Sequence, residues 1–176
     1  MRSAVRAVAV SATLALGLAA CGSDGVPPKE WAKSVCLAVK PWSTQIEASV
    51  TQARTKITAG ANPVQTKTEL VTLFRGAEKA SSDAIAKVKK AGVPAADKGA
   101  EVAAQFGEAL EAAKANFGRA ASRVEALPTT DRAAFFNGVV TVGDQLSKDN
   151  NASSAKLSDV SSKDLEKAFN DVPECR

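Results

Sequence analysis

Residues 31–57, WAKSVCLAVKPWSTQIEASVTQARTKI, decide the fold of this chain. Their apolar residues recur at steps of three or four: Trp31, Val35, Val39, Trp42, Ile46, Val50, Ala53 and Ile57. This spacing predicts one face of a long amphipathic helix. Pro28 suits the first turn of that helix. Pro41 removes a backbone donor inside it, but the apolar face continues in phase beyond it, which predicts a kink rather than a helix end.

Three more segments show the same helical spacing, and a turn sequence separates each from the next. After Gly60, Asn62 can cap the second helix and Pro63 can open it. Gly92-Val93-Pro94 ends that helix. We expect the third helix over 95–127 and the fourth, capped by Asp131, up to about Lys148.

Residues 149–154 are polar and turn-like, and a short last helix around Leu165, Ala168 and Phe169 follows them. No stretch alternates with a period of two over the length of a strand, so no sheet is expected. The predicted fold is all-α: an antiparallel bundle of four main helices plus a short C-terminal helix.

The first twenty residues have the pattern of a bacterial lipoprotein signal peptide. Arg2 and Arg6 give a positive start, and about a dozen small or apolar residues follow up to Leu18, too few to span a bilayer. Leu18-Ala19-Ala20-Cys21 then matches a lipobox, in which a peptidase cuts before a cysteine that carries diacylglycerol. An ordinary cleaved secretory signal with an incidental cysteine is the alternative.

The lipobox predicts how the chain is divided and where it resides. Residues 1–20 are a lipoprotein signal peptide, 21–28 a lipidated tether and 29–176 a helical domain. Two acyl chains are enough to hold a protein stably on a membrane. We therefore expect the domain on the extracytoplasmic face of the cell membrane, with the membrane itself as a partner through the diacylglyceryl anchor on Cys21.

The charge balance does not favour nucleic acid as a partner. The full chain has 23 basic and 19 acidic residues, but removal of Arg2 and Arg6 with the signal leaves 21 against 19. A formal charge of +2 gives no strong attraction to nucleic acid or anionic lipid.

With Cys21 assigned to lipid, Cys36 and Cys175 remain. An even pair outside the cytoplasm is most simply a disulfide, and two unpaired buried thiols are the alternative. A bond between them requires the last helix to pack against the start of the first.

The aromatic residues allow two interpretations. Trp31 and Trp42 are eleven residues apart and therefore share a helix face. Together with aromatic residues of later helices they form either a core or the wall of an apolar ligand site between helices: Trp31, Trp42, Phe74, Phe106 and Phe117. Core packing is the more common role of such a set.

Four short motifs resemble those of the small secreted lipoproteins of actinobacteria. They are the lipobox followed by Gly22, Trp31-Ala32-x-x-Val35-Cys36, Gly92-Val93-Pro94 and the closing Pro173-Glu174-Cys175. The resemblance covers most of the mature chain and supports export and the Cys36–Cys175 pair. That group has no established activity, so the resemblance implies no catalytic residue.

Several classes of chemistry are excluded because the chain has no histidine and no tyrosine. Triads that depend on histidine and His-ligated zinc cannot form. Glu108 and Glu111 lie three apart but lack the histidine of helical-bundle metal sites, so we expect no metal and no cofactor. The first hypothesis is a non-catalytic module that binds another envelope protein or supports the envelope. The second is a carrier of a small apolar ligand, and an enzyme is the third and least favoured.

Overall fold

A computed structural model describes residues 25–57, 61–155 and 161–176. Five α-helices and a final 3₁₀ turn follow in order: α1 Pro28–Lys56, α2 Pro63–Lys90, α3 Gly99–Ala126, α4 Arg132–Ala155, α5 Lys163–Asp171, and the turn Pro173–Cys175. These ranges contain no β-strand, which confirms the all-α prediction. The signal peptide, Cys21 and the first part of the tether lie outside the described residues.

Two of the predicted helix starts are confirmed by their capping hydrogen bonds. The side chain of Asn62 accepts a hydrogen bond of 2.8 Å from the backbone N–H of Gln65. The Oδ1 atom of Asp131 accepts one of 3.0 Å from the N–H of Ala134. Each bond satisfies a donor that the first helical turn leaves without an internal partner.

Helix α1 continues through Pro41 without a break. Ala38, Val39 and Trp42, on both sides of the proline, pack into one apolar cluster with Ala84 and Leu110. The apolar face therefore stays in phase across Pro41, and the proline does not end the helix.

The predicted start of the third helix is wrong by four residues, because the structure begins α3 at Gly99 rather than Ala95. The reason is a contact from far away in the chain. The N–H of Val26 donates to the carbonyl of Val93, and the N–H of Ala95 donates to the carbonyl of Val26, both over 2.8 Å. These bonds hold residues 93–95 extended, and Lys98, at φ 53°, precedes the first helical turn.

The predicted end of the fourth helix is also wrong, because α4 runs on to Ala155. Residues 149–154 were expected to form a turn, yet they continue the helix, and hydrogen bonds from side chains support this. Gln145 donates to Asp149, Ser153 donates to the Asp149 carbonyl, and Asn116 of α3 donates to Asn150. Contacts with α3 therefore override a locally polar sequence.

Neighbouring long helices run in opposite directions. Along each pair of helices, residue numbers rise in one helix as they fall in the contacting helix. Between α1 and α2 the contacts are Trp31 with Gly92 and Lys56 with Glu69. Between α2 and α3 they are Lys67 with Leu127 and Lys89 with Glu111, and between α3 and α4 they are Asn116 with Asn150 and Leu127 with Gly138. The most extensive packing joins α2 to α3 and α1 to α2, and α4 packs on α3. Val64, near the start of α2, is an apolar residue that is 61% exposed.

The C-terminal segment is held against the start of α1, as the cysteine pair predicts. Cys36 and Cys175 form a disulfide with a Cα–Cα distance of 5.1 Å. On either side of it, Lys29 pairs with Asp171 at 3.0 Å and Lys33 pairs with Glu174 at 3.0 Å.

These ion pairs keep the two carboxylates charged. Hydrogen bonds from Lys167 and Lys29 lower the pKa of the Asp171 carboxyl to about 2. The hydrogen bond from Lys33 lowers the pKa of the Glu174 carboxyl. All of these groups are partly solvated, so the pairs orient the segment more than they stabilise it.

Candidate functional site

An apolar cleft of about 390 Å³ lies between α1, α3 and the end of α4. Eight of its twelve lining residues are apolar; the full set is Val39, Trp42, Ser43, Ile46, Glu47, Phe106, Ala109, Leu110, Ala113, Phe117, Asn150 and Ser153. Trp42, Ile46 and Phe106 are only partly buried, so the cleft opens to solvent. Its volume falls in the range of small-molecule sites, roughly 300–1,000 Å³.

The α1 wall is built around Trp42, whose indole is fixed by a hydrogen bond. Its Nε1 atom donates to Ser81 Oγ over 2.9 Å, and Ser81 in turn donates to the Ala77 carbonyl over 2.8 Å. Ser81 is fully buried on α2. Because the polar atom of Trp42 is satisfied on the α2 side, its ring can present an apolar surface to the cleft without an unpaired donor.

The floor is one face of α3. Phe106, Leu110, Ala113 and Phe117 follow each other at steps of four, three and four residues, which places them in a row along the helix. Phe106 and Phe117 stand near the two ends, and the small side chains of Ala109 and Ala113 lie between them. The alanines leave the space that larger residues at the same positions would fill.

One end of the floor is held by α5. The ring of Phe106 stacks on Phe169 with centroids 5.8 Å apart, and it meets the edge of Trp31 at 5.7 Å. Trp31 and Phe169 also contact each other at 5.8 Å. Since α5 carries Phe169, the disulfide that holds the C-terminal segment also supports this end of the cleft.

The α4 side is polar. Asn116, only 3% exposed, donates from Nδ2 to Asn150 Oδ1 over 2.9 Å, and Arg119 donates to Asn116 Oδ1. Arg119 also reaches Asp149 at 3.4 Å. This network fastens the last turns of α4 to α3 and sets Asn150 and Ser153 at the edge of the cleft.

The structure brings three of the five aromatic residues of the predicted ligand site together. Trp42, Phe106 and Phe117 line the cleft. Trp31 is fully buried beside Val35, Ala91 and Leu165, and Phe74 lies in a separate cluster between α2, α3 and α4. These two serve as core.

The remaining lining residues were not predicted to belong to a site. Val39 and Ile46 were predicted only as part of the apolar face of the first helix, and Asn150 and Ser153 as part of a turn. The pairing of two alanines with flanking phenylalanines on α3 was the signal that could have indicated a groove there.

A second depression, around Arg75, Glu78, Arg119 and Arg123, is shallow and charged. Arg75 contacts Glu125 at 3.1 Å and Glu78 at 2.9 Å, and its hydrogen bonds to both raise its pKa. These acidic partners already neutralise Arg75, so the depression makes a poor anion site.

Two kinds of feature are absent from the part of the chain that the structure describes. Residues 25–57, 61–155 and 161–176 hold no cluster of three or more acidic or cysteine side chains arranged for a metal ion. Within those same ranges, no helix combines the length and the hydropathy that crossing a bilayer requires.

Comparison with known proteins identifies no relative: no family model, no curated protein and no solved structure matches this chain.

Proposed function

We propose that this protein is a membrane-anchored extracytoplasmic lipoprotein that binds a small apolar ligand between the helices of an antiparallel bundle. The observation that carries the proposal is the apolar cleft of about 390 Å³. It has the size of a ligand site, its walls are aromatic and aliphatic, and a few polar groups stand at its edge. The proposed role is carriage or capture of the ligand, without catalysis.

The disulfide supports the location. Disulfides such as Cys36–Cys175 persist in oxidising compartments and are rare in the cytosol of most organisms. The lipobox at Cys21 supplies the anchor, and α1 begins only seven residues later, at Pro28. That tether spans at most about 25 Å, so the domain would stay close to the membrane surface.

A module that binds another envelope protein, our first hypothesis from the sequence, has less support. Its natural signature is a contiguous exposed apolar patch. The large apolar side chains that are exposed in the described residues belong to four separate elements: Leu37 in α1, Val64 in α2, Val93 in the following loop and Val140 in α4. The cleft is the better-defined feature, so the ligand carrier takes precedence.

Filling the cleft should abolish binding. We expect the uncharged fluorescent probe N-phenyl-1-naphthylamine to bind the wild-type domain and to bind Ala113→Trp at least about tenfold more weakly. The new indole would occupy part of the cleft, and each methylene equivalent of the probe that is no longer buried costs about 0.8 kcal/mol of binding free energy. Ala113 is in the middle of the floor. Fluorescence titration measures the affinity, and native mass spectrometry of protein from its own host shows whether a ligand copurifies.

Ala115→Trp is the matched control for that substitution. Ala115 is an exposed residue of the same helix and does not line the cleft. It should bind the probe as the wild type does. Equal binding by the two tryptophan variants, with both folded by circular dichroism, would contradict the proposed site.

The anchor has a separate test. Cys21→Ala should release the protein from the membrane fraction or leave it as an uncleaved precursor, because the acyl chains are the proposed attachment. Labelling with a radioactive fatty acid should mark the wild type and the double variant Cys36→Ser, Cys175→Ser, but not Cys21→Ala. Equal labelling of all three would refute the lipobox assignment.

A further inference from the structure

Two of the four polar residues that line the cleft, Glu47 and Asn150, lie toward the same end of it. The end that holds Phe106 is bounded by Val39, Trp42 and the α5 ring Phe169. At the other end Glu47 follows Ile46 on α1, and Asn150 bonds to Asn116, the neighbour of Phe117 on α3. The cleft thus has an apolar end and a polar end.

The chemistry of the polar end selects among ligands. Of the described lining residues, Glu47 alone is charged, and no described residue forms an ion pair with it. The Nδ2 atom of Asn150 has no hydrogen-bond acceptor within the described residues. Ser43 and Ser153 donate their protons to the carbonyls of Lys40 and Asp149, so toward the cleft their oxygens can only accept.

Together these groups present one carboxylate, two hydroxyl acceptors and one amide donor. A hydroxyl head group could donate to Glu47 and accept from Asn150, and an ammonium head group could donate to Glu47 and both serines. A carboxylate head group would meet Glu47 as a like charge. The formal net charge is +4 for the full chain and +2 without residues 1–20, so any preference for a cation must come from the cleft itself and not from the overall field.

The length of the floor indicates the shape of the apolar part. Phe106 and Phe117 are eleven residues apart, which at 1.5 Å per residue is about 16 Å along α3. With carbon–carbon bonds of about 1.5 Å in a zigzag, that distance matches an extended alkyl chain of roughly twelve carbons. The length of the row thus fits one extended chain.

We infer that the cleft takes a single-chain amphiphile whose head is a hydroxyl or an amine, with the chain along α3 toward Phe106 and the head between Glu47 and Asn150. This inference rests on the proposed function and specifies its ligand class. Glu47 sets the choice of head group, while Phe106, Leu110 and Phe117 set the chain.

The test uses three probes that share one chain: dodecylamine, 1-dodecanol and dodecanoate. At pH 7 the amine is protonated and the carboxylic acid ionised. Affinities for the full mature chain, measured by displacement of N-phenyl-1-naphthylamine below the micelle concentrations, should follow the order amine, alcohol, carboxylate. We expect about a tenfold difference in affinity between the amine and the carboxylate. The exposed carboxylate of Glu47 should raise the affinity for the amine a few-fold and lower the affinity for the carboxylate a few-fold.

Glu47→Gln should collapse that difference to about twofold. The amide oxygen can still accept from a hydroxyl, so the affinity for dodecanol should change less than the affinity for dodecylamine. Glu108→Gln is the matched control, since Glu108 is an exposed glutamate of α3 that does not line the cleft. It should keep the wild-type order. Equal affinities for the three probes, or an order that Glu47→Gln leaves unchanged, would overturn the assigned head group while the apolar site itself stood. Binding of none of the three, or binding that Ala113→Trp does not weaken, would overturn the proposed function and this inference with it.

Discussion

Replacement of both Cys36 and Cys175 by serine should lower the free energy of unfolding by about 5 kcal/mol. The bond joins residues 139 apart in the sequence. In the chain-entropy account, closing a loop of that length restricts the unfolded chain by about this amount at 25 °C. For a domain of this size, the change corresponds to a drop in melting temperature of roughly 10–20 °C.

Unfolding of the double variant should begin in the C-terminal segment, because few other interactions hold that segment. Helix α5 has nine residues, too few for stability on its own. It buries Leu165 and Ala168, while its ion pairs through Asp171 are partly exposed. Without the bond, we expect protease to cut this segment before the rest of the domain unfolds. Since α5 also carries Phe169, which supports Phe106, binding of the apolar probe should weaken in parallel.

Calorimetry with and without a reducing agent measures the effect, and limited proteolysis with mass spectrometry locates it. The serine double variant is the control for the reagent, because reduction should not change its melting temperature further. A wild-type protein that melts at the same temperature in both conditions, or one whose two cysteines alkylate without reduction, would contradict the prediction.

Features that depend on local sequence were predictable, and features that depend on distant contacts were not. Asn62 and Asp131 cap helices through bonds to residues three positions away, so the sequence shows them directly. The start of α3 depends on Val26, more than seventy residues earlier, and the end of α4 depends on Asn116. The spacing of apolar residues along the sequence indicates neither contact.

The cleft illustrates the same limit. Spacing placed Trp31 and Trp42 correctly on one face of one helix, but it could not show what lies opposite each of them. Opposite Trp31, α5 and the α2–α3 loop close over the ring, whereas the side of Trp42 that faces α3 stays partly open. Whether an aromatic face becomes core or ligand wall is decided by the helix that covers it.

Trp31→Ala should be the most destabilising single substitution outside the disulfide, at about 3–5 kcal/mol, the usual cost of removing a fully buried large aromatic side chain. Trp31 is 0% exposed. Its rings contact Phe106 and Phe169 edge-on, so the substitution leaves a cavity between α1, α3 and α5. It also removes the hydrogen bond of 3.0 Å from Nε1 to the Gly92 carbonyl, which ties the start of α1 to the α2–α3 loop.

Trp42→Ala is the comparison that separates core from cleft. Trp42 is partly exposed and contributes less buried surface, so its loss should cost roughly 2 kcal/mol. Part of that cost comes from the Ser81 oxygen, which loses the donor Trp42 while its hydroxyl still donates to the Ala77 carbonyl. Urea denaturation of the two variants, with unchanged dependence on denaturant, gives the two free energies.

Trp42→Ala should weaken probe binding in the folded state, because it removes a wall of the cleft. Trp31→Phe, which keeps most of the buried ring, should bind nearly as the wild type does. Equal destabilisation by the two alanine substitutions would mean that both tryptophans are core, and that the space beside Trp42 is a packing gap rather than a site.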